Sequence, residues 1–150
     1  MPEAGAGARP VGRAGNPSAL AVANGTVLAF DFGTRRIGVA VGTIAAATAR
    51  PLCVIPAGAA QTWARIATLI AQWQPKLLVV GIPRHPDGTA HEMTGRCERF
   101  ARQLQGRFGC EVARVDERYS SAVIGGSTAR DDEAAAVILR QWLDEQRGNA

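Results

Sequence analysis

The chain has 150 residues, 47% of them hydrophobic, with 17 Lys and Arg against 13 Asp and Glu and a formal net charge of +4. That length supports one domain with a real core and leaves little room for two, and no apolar run approaches the roughly 18 residues of a membrane span. The positive charge is almost all Arg, which suits bidentate phosphate contact and permits a nucleic-acid partner without requiring one.

In chain order, residues 1–25 are small and polar, broken by Pro2, Pro10 and Pro17, and read as a disordered tail without the apolar stretch of a signal peptide. The domain is expected over residues 26–150. Val27 to Phe30 and Ile37 to Val41 are short apolar runs joined by a turn at Gly33 to Arg36, which predicts a β-hairpin. Leu52 to Ile55, between Pro51 and Pro56, predicts a third strand. Trp63, Ile66, Ile70 and Trp73 recur at helical steps until Pro75 stops the pattern. Leu77 to Gly81 reads as a buried parallel strand, and Gly81 and Pro83 keep its apolar run far short of a membrane span.

A second helix is expected over Met93 to Phe108, with Cys97, Phe100, Ala101 and Leu104 inward and Gly109 as its terminator. Arg96, Arg99 and Arg102 repeat on it at three-residue steps; a solvated helix face is the simpler reading, phosphate contact the alternative. Glu111 to Val115 is the fifth strand. A last helix over Asp131 to Gln146 carries an apolar stripe through Ala135, Ala136, Leu139, Trp142 and Leu143. The order βββαβαβα implies an α/β domain with a mixed five-stranded sheet flanked by helices. Cys53, Cys97 and Cys110 are odd in number and lack C-x-x-C spacing, so neither a disulfide framework nor a zinc site is indicated, and a cytoplasmic setting fits.

Three acids fall where the chain turns. Asp31 ends the first strand in Phe30-Asp31-Phe32-Gly33-Thr34, between residues that favour burial, where an ionised carboxylate needs a cation or hydrogen bonds. Taken alone, it could simply cap the hairpin turn. Glu117 follows the fifth strand beside Asp116 and Arg118, where a surface acid-base cluster would look the same. Asp132 opens the last helix, four residues before Ala136 and seven before Leu139, so helical spacing turns it toward the sheet. Its neighbour Asp131 fits better as a cap or dipole residue. Two acids at a helix start are common, and the joint placement of the three is what carries the argument. An all-oxygen set without a His or Cys cluster points to Mg²⁺ or Mn²⁺, ions that assist phosphodiester hydrolysis. Arg35, Arg84 and Arg118 are candidate phosphate contacts. His85 and His91 read as surface residues, His85 being a weaker phosphate candidate.

Leu28-Ala29-Phe30-Asp31-Phe32-Gly33-Thr34 with Ile37-Gly38-Val39-Ala40 resembles the opening motif of the YqgF (RuvX) family. So do Thr48-Ala49-Arg50-Pro51, Val80-Gly81-Ile82-Pro83 with Asp87-Gly88-Thr89, Gly106-Arg107-Phe108-Gly109, Asp116-Glu117-Arg118, and the helix from Asp132 to Leu139. The resemblance implies an RNase H-like fold, a Holliday-junction-resolvase-like nuclease and a role in pre-16S rRNA end processing. It places the family's acidic triad on Asp31, Glu117 and Asp132, as catalytic residues and metal ligands. Nucleic acid, as structured RNA or branched DNA, is the partner it implies. Two departures stand out: the stretch between Arg118 and Asp132 is shorter than in family members, and Glu133 replaces a small hydroxyl residue. The D-x-G-T opening is also similar to the phosphate-binding start of actin-like and sugar-kinase ATPases, which need a second such domain. A non-catalytic nucleic-acid-binding module is the remaining alternative.

Overall fold

A computed structural model of the chain describes residues 25–117 and 131–148. The elements run β1 (Thr26–Phe32), β2 (Arg36–Thr43), β3 (Thr48–Pro56), α1 (Thr62–Trp73), β4 (Leu77–Ile82), α2 (Thr94–Phe108), β5 (Val112–Asp116) and α3 (Asp131–Gly148). The expected βββαβαβα order holds. The strands form one sheet in the order β3-β2-β1-β4-β5, antiparallel through β1–β2 and β2–β3, parallel through β1–β4 and β4–β5. Of the tail expected over residues 1–25, residues 1–24 lie outside the described residues, as does Arg118.

Side chains alternate across the strands, and each face has its own cover. Leu28, Phe30, Val39, Leu78, Val80 and Ile82 pack with Ile66 of α1 and with Phe100 and Leu104 of α2. Val27, Ala29, Ala40, Leu77, Val79 and Val115 pack with Ala135, Ile138, Leu139 and Trp142 of α3. The apolar stripes predicted for the helices are therefore the ones that pack on the sheet, buried throughout in α2 and α3, and in α1 buried at Ile66 and partly buried at Trp63, Ile70 and Trp73. α1 ends with Gln74 in the left-handed region at φ 46°, one residue before Pro75, and α2 ends with Gly109 at φ 66°.

The third strand differs from expectation, extending back to Thr48 through Pro51. It lies at the sheet edge, where a proline need not donate to a neighbour, and the register shifts opposite Val39 and Ala40, leaving Leu52 unpaired between Cys53 and Pro51. Flanking prolines bounded only the regular half of the strand.

On the face under α3, β2 presents Gly38, Ala40 and Gly42. A Cβ on Gly38 would run into the carbonyl of Asp131 and the backbone nitrogen of Asp132, and one on Gly42 into the carbonyl of Thr48. The first turn of α3 thus rests directly on backbone. Gly38→Ala is expected to lower the unfolding free energy by about 3 kcal/mol, because neither clashing group can rotate away. Gly106→Ala, on open helix surface, is expected to raise it by about 0.5–1 kcal/mol. Urea denaturation of both variants checks this, and a midpoint unchanged by Gly38→Ala would contradict the close approach.

Candidate active site

The carboxyl ends of the parallel strands β1, β4 and β5 meet at one edge of the sheet, the usual location of sites in open α/β folds. Asp31 lies one residue before the end of β1. Its neighbours Phe30 and Phe32 point to the other face, where both meet Phe100 of α2 at ring-centroid distances of 5.7 and 4.8 Å. The strand's alternation therefore turns Asp31 toward the α3 side, opposite Gly38 in the β1–β2 pairing.

Glu117 follows β5, its backbone N–H donating to the Ile82 carbonyl at 3.1 Å. It shares the face of Ala113 and Val115. Two strand spacings, about 10 Å, separate its backbone from that of Asp31, with β4 between them. Gly81 of β4 closes the gap. A Cβ there would collide with Oε2 of Glu117 and would stand 2.6 Å from its Cδ and 2.6 Å from Cδ1 of Ile138. The Glu117 carboxylate is thus folded back over bare β4 backbone, toward Asp31.

Electrostatics agree with this placement. Burial pushes the Glu117 carboxyl up to about 8, with the charges of Asp31 and Asp116 adding in the same direction. Asp31 is pushed up to about 6, by burial first and by the charge of Asp131 second. On the opposite face, Sγ of Cys97 lies 3.9 Å from the Phe32 carbonyl, and its thiol is raised to about 12 by burial, then by Glu117, Asp31 and Glu98. That thiol stays protonated and is no nucleophile.

The first turn of α3 brings two acids to the same edge. Asp132 is 2% exposed, and its charge is felt at Cys53 of β3. Asp131 is the one whose charge acts on Asp31, and it accepts a hydrogen bond from Nε of Arg36 at 2.6 Å. Helical spacing could not have assigned Asp131 this role, because the assignment depends on where β2 delivers Arg36. Among the described residues no three His, Cys, Asp or Glu side chains form a group able to hold a metal together. Asp31 and Glu117 are the acids drawn toward each other, with α3 contributing beside them.

Arg35 is exposed in the hairpin, and Arg84 is half-buried, bridged to Ala90 at the start of the loop from β4 to α2. That loop is internally tied. Asp87 accepts hydrogen bonds from the backbone and hydroxyl of Thr89, and the Thr94 hydroxyl donates to the Pro83 carbonyl. The two histidines, read separately as surface residues, form a contact across it, with ring centroids 5.1 Å apart and His91 half-buried. Nδ1 of His91 accepts the backbone N–H of Met93 at 3.0 Å. The turn at Asp87-Gly88, with Gly88 at φ 92°, is the signal that could have paired them.

A mixed sheet in the order β3-β2-β1-β4-β5, with acids at the carboxyl edge and helices on both faces, is RNase H-like. The structure of T. thermophilus RuvC in complex with Holliday junction substrate shares this fold, at TM-score 0.53 and 15% identity over 82% of this chain and 96% of that one. Residues 25–145 match the RuvX family, described as Holliday junction resolvase, and the chain belongs to that family. A Burkholderia thailandensis protein named “Putative pre-16S rRNA nuclease” is 48% identical over 136 residues, covering 85% of this chain and 93% of the relative. A Paraburkholderia xenovorans protein of the same name is 48% identical over 128 residues, covering 79% and 88%.

The raised carboxyls set a pH dependence. In the folded chain Asp31 and Glu117 hold protons at pH values where the unfolded chain, titrating near 3.8 and 4.5, has released them. Stability therefore falls as pH rises from about 4 to about 8 and levels off above. In chelator-containing buffer the melting midpoint is expected to drop across that window, and Glu117→Gln to remove most of the drop. A wild-type midpoint that climbs with pH over the same range would contradict the burial of these acids.

Proposed function

We propose that the chain is a metal-dependent nuclease that hydrolyses phosphodiester bonds, acting in 5′-end processing of pre-16S rRNA. The observation that carries this reading is the Glu117 carboxylate lying over the backbone of Gly81, within electrostatic reach of Asp31. Two buried acids that resist ionisation side by side are held charged most readily by a cation between them. The donor set fits a hard divalent ion, Mg²⁺ or Mn²⁺, since it is all oxygen and Mg²⁺ is commonly held by one or two carboxylates. Asp31 and Glu117 would hold it. Asp132, buried in the first turn of α3, is assigned as the third acid. When bound, such an ion supplies Lewis-acid stabilisation of the charge that develops on the phosphate.

The protein's own groups orient the reaction. Glu117 accepts a hydrogen bond from the attacking water, and Arg35, Arg84 and Arg118 hold phosphate oxygens through planar donor pairs, with His85 a further donor. The names of the Burkholderia and Paraburkholderia relatives support a ribosomal RNA precursor as substrate. A bacterial rRNA precursor implies the cytoplasm, and no described helix is long and apolar enough to cross a membrane. Branched DNA is the competing substrate within the same chemistry, supported by the family description.

The test is cleavage of a pre-16S 5′ leader RNA and of a four-way DNA junction, each with Mn²⁺ and with chelator. Ion-dependent cleavage of the RNA is expected. Asp31→Asn should reduce it on the order of a thousandfold, the several kcal/mol that ion-held charge stabilisation contributes. The same variant should leave the circular dichroism spectrum unchanged and the melting midpoint unchanged or raised, since it removes a buried charge. Undiminished cleavage in chelator or in Asp31→Asn would overturn the mechanism, and cleavage of the junction alone would replace the substrate.

A further inference from the structure

Helices α2 and α3 treat their own charge in opposite ways. α3 opens with Asp131, Asp132 and Glu133 and carries Arg147 in its last turn, matching the helix dipole at both ends. α2 has no acid in its first turn, where Arg96 sits against the positive pole, and no side-chain hydrogen bond caps it. Arg96, Arg99 and Arg102 follow one another at three-residue steps, a spacing at which like charges destabilise a helix. The helix's single acid, Glu98, is committed to Arg114 of β5 at 2.7 Å. All three arginines are exposed, and among the described residues none makes an ion pair. The local sequence thus works against the helix it forms, a pattern that marks functional surfaces.

The row also has a direction. Cys97, next to Arg96, packs against the Phe32 carbonyl directly after Asp31, so α2 starts beside the acids and leads away from them. From Arg96 to Arg102 the rise is about 9 Å. Arg107, a turn and a half further on, has its guanidinium carbon 4.2 Å from the centroid of the Trp63 ring, in cation–π contact. Proteins that grip single strands present aromatic platforms. Here no Phe or Trp is exposed among the described residues, and the one large hydrophobic exposed among them is Val137, on α3.

We propose that the outer face of α2, through Arg96, Arg99 and Arg102, binds the sugar-phosphate backbone of a double-helical arm of the substrate, outside the point of cleavage. The surface reads charge and spacing rather than bases, and it rests on the reading of the chain as a nucleic-acid hydrolase. Its polyanion neutralises both the arginine repulsion and the charge at the helix start.

The experiment compares the full-length protein with the triple variant R96Q/R99Q/R102Q and with the triple Lys variant. Binding to an RNA duplex, a DNA duplex of the same sequence and a single strand is measured across a salt series, alongside cleavage. For at least one duplex the Gln variant should lose affinity on the order of a hundredfold at low salt, and the slope of log K against log salt should shrink by about 2–3, roughly 0.9 for each phosphate contact removed. The duplex affected identifies the arm as RNA or DNA. KM should rise with kcat nearly unchanged, the melting midpoint should hold or increase, and the Lys variant should retain most of the slope. An unchanged slope on both duplexes, or a loss confined to the single strand, overturns the proposal. Should the wild type bind duplex with the expected slope but cleave nothing, the α2 surface stands and the nuclease reading falls.

Discussion

On the α3 side of the sheet, the backbone of one element has to lie almost on the backbone of another. The carbonyl of Asp131 and the nitrogen of Asp132 occupy the space that a side chain at Gly38 would fill, and the Glu117 carboxylate occupies that of a side chain at Gly81. The rest of the edge depends on these two missing side chains. Without the first, α3 could not bring its acids level with Asp31; without the second, Glu117 would be pushed away from Asp31 across β4. Interiors packed at crystal-like density leave no slack to absorb a methyl group at such points.

Drawing acids together in this way costs stability. Burial raises Asp31 and Glu117, with the charge of Asp131 adding at Asp31 and those of Asp31 and Asp116 adding at Glu117, so ionising both acids works against the fold. The two faces of the sheet divide the structural work around that strained edge. Phe30, Phe32 and Phe100 interlock under Asp31 from the α2 side, while Ile138 and Leu139 of α3 fill the other. The Arg36–Asp131 pair is half exposed and adds little energy, and its role is to fix the start of α3 over the hairpin.

Most of the architecture was legible before any coordinates. Trp63, Ile66, Ile70 and Trp73, and Cys97, Phe100, Ala101 and Leu104, recur at helical steps because each helix must bury one stripe, and Gly109 and Pro75 stand at or just beyond the helix ends. The edge strand was legible only in part, because Pro51 is compatible with a strand when its nitrogen needs no partner, and that depends on which strand lies outermost. The His85–His91 contact was hidden because the five intervening positions say nothing about proximity until the turn between them is formed.

What the sequence alone determined is therefore the set of elements, the faces they bury and the identity of the acids near their ends, all properties of local periodicity and turn chemistry. It could not decide which acid meets which. That Glu117 leans over Gly81 toward Asp31, that Asp131 is tied to Arg36 while Asp132 is buried beside it, and that α2 leads away from the acids are consequences of strand order and helix docking. Such contacts join residues dozens of positions apart, and only the packed sheet sets the distances between them.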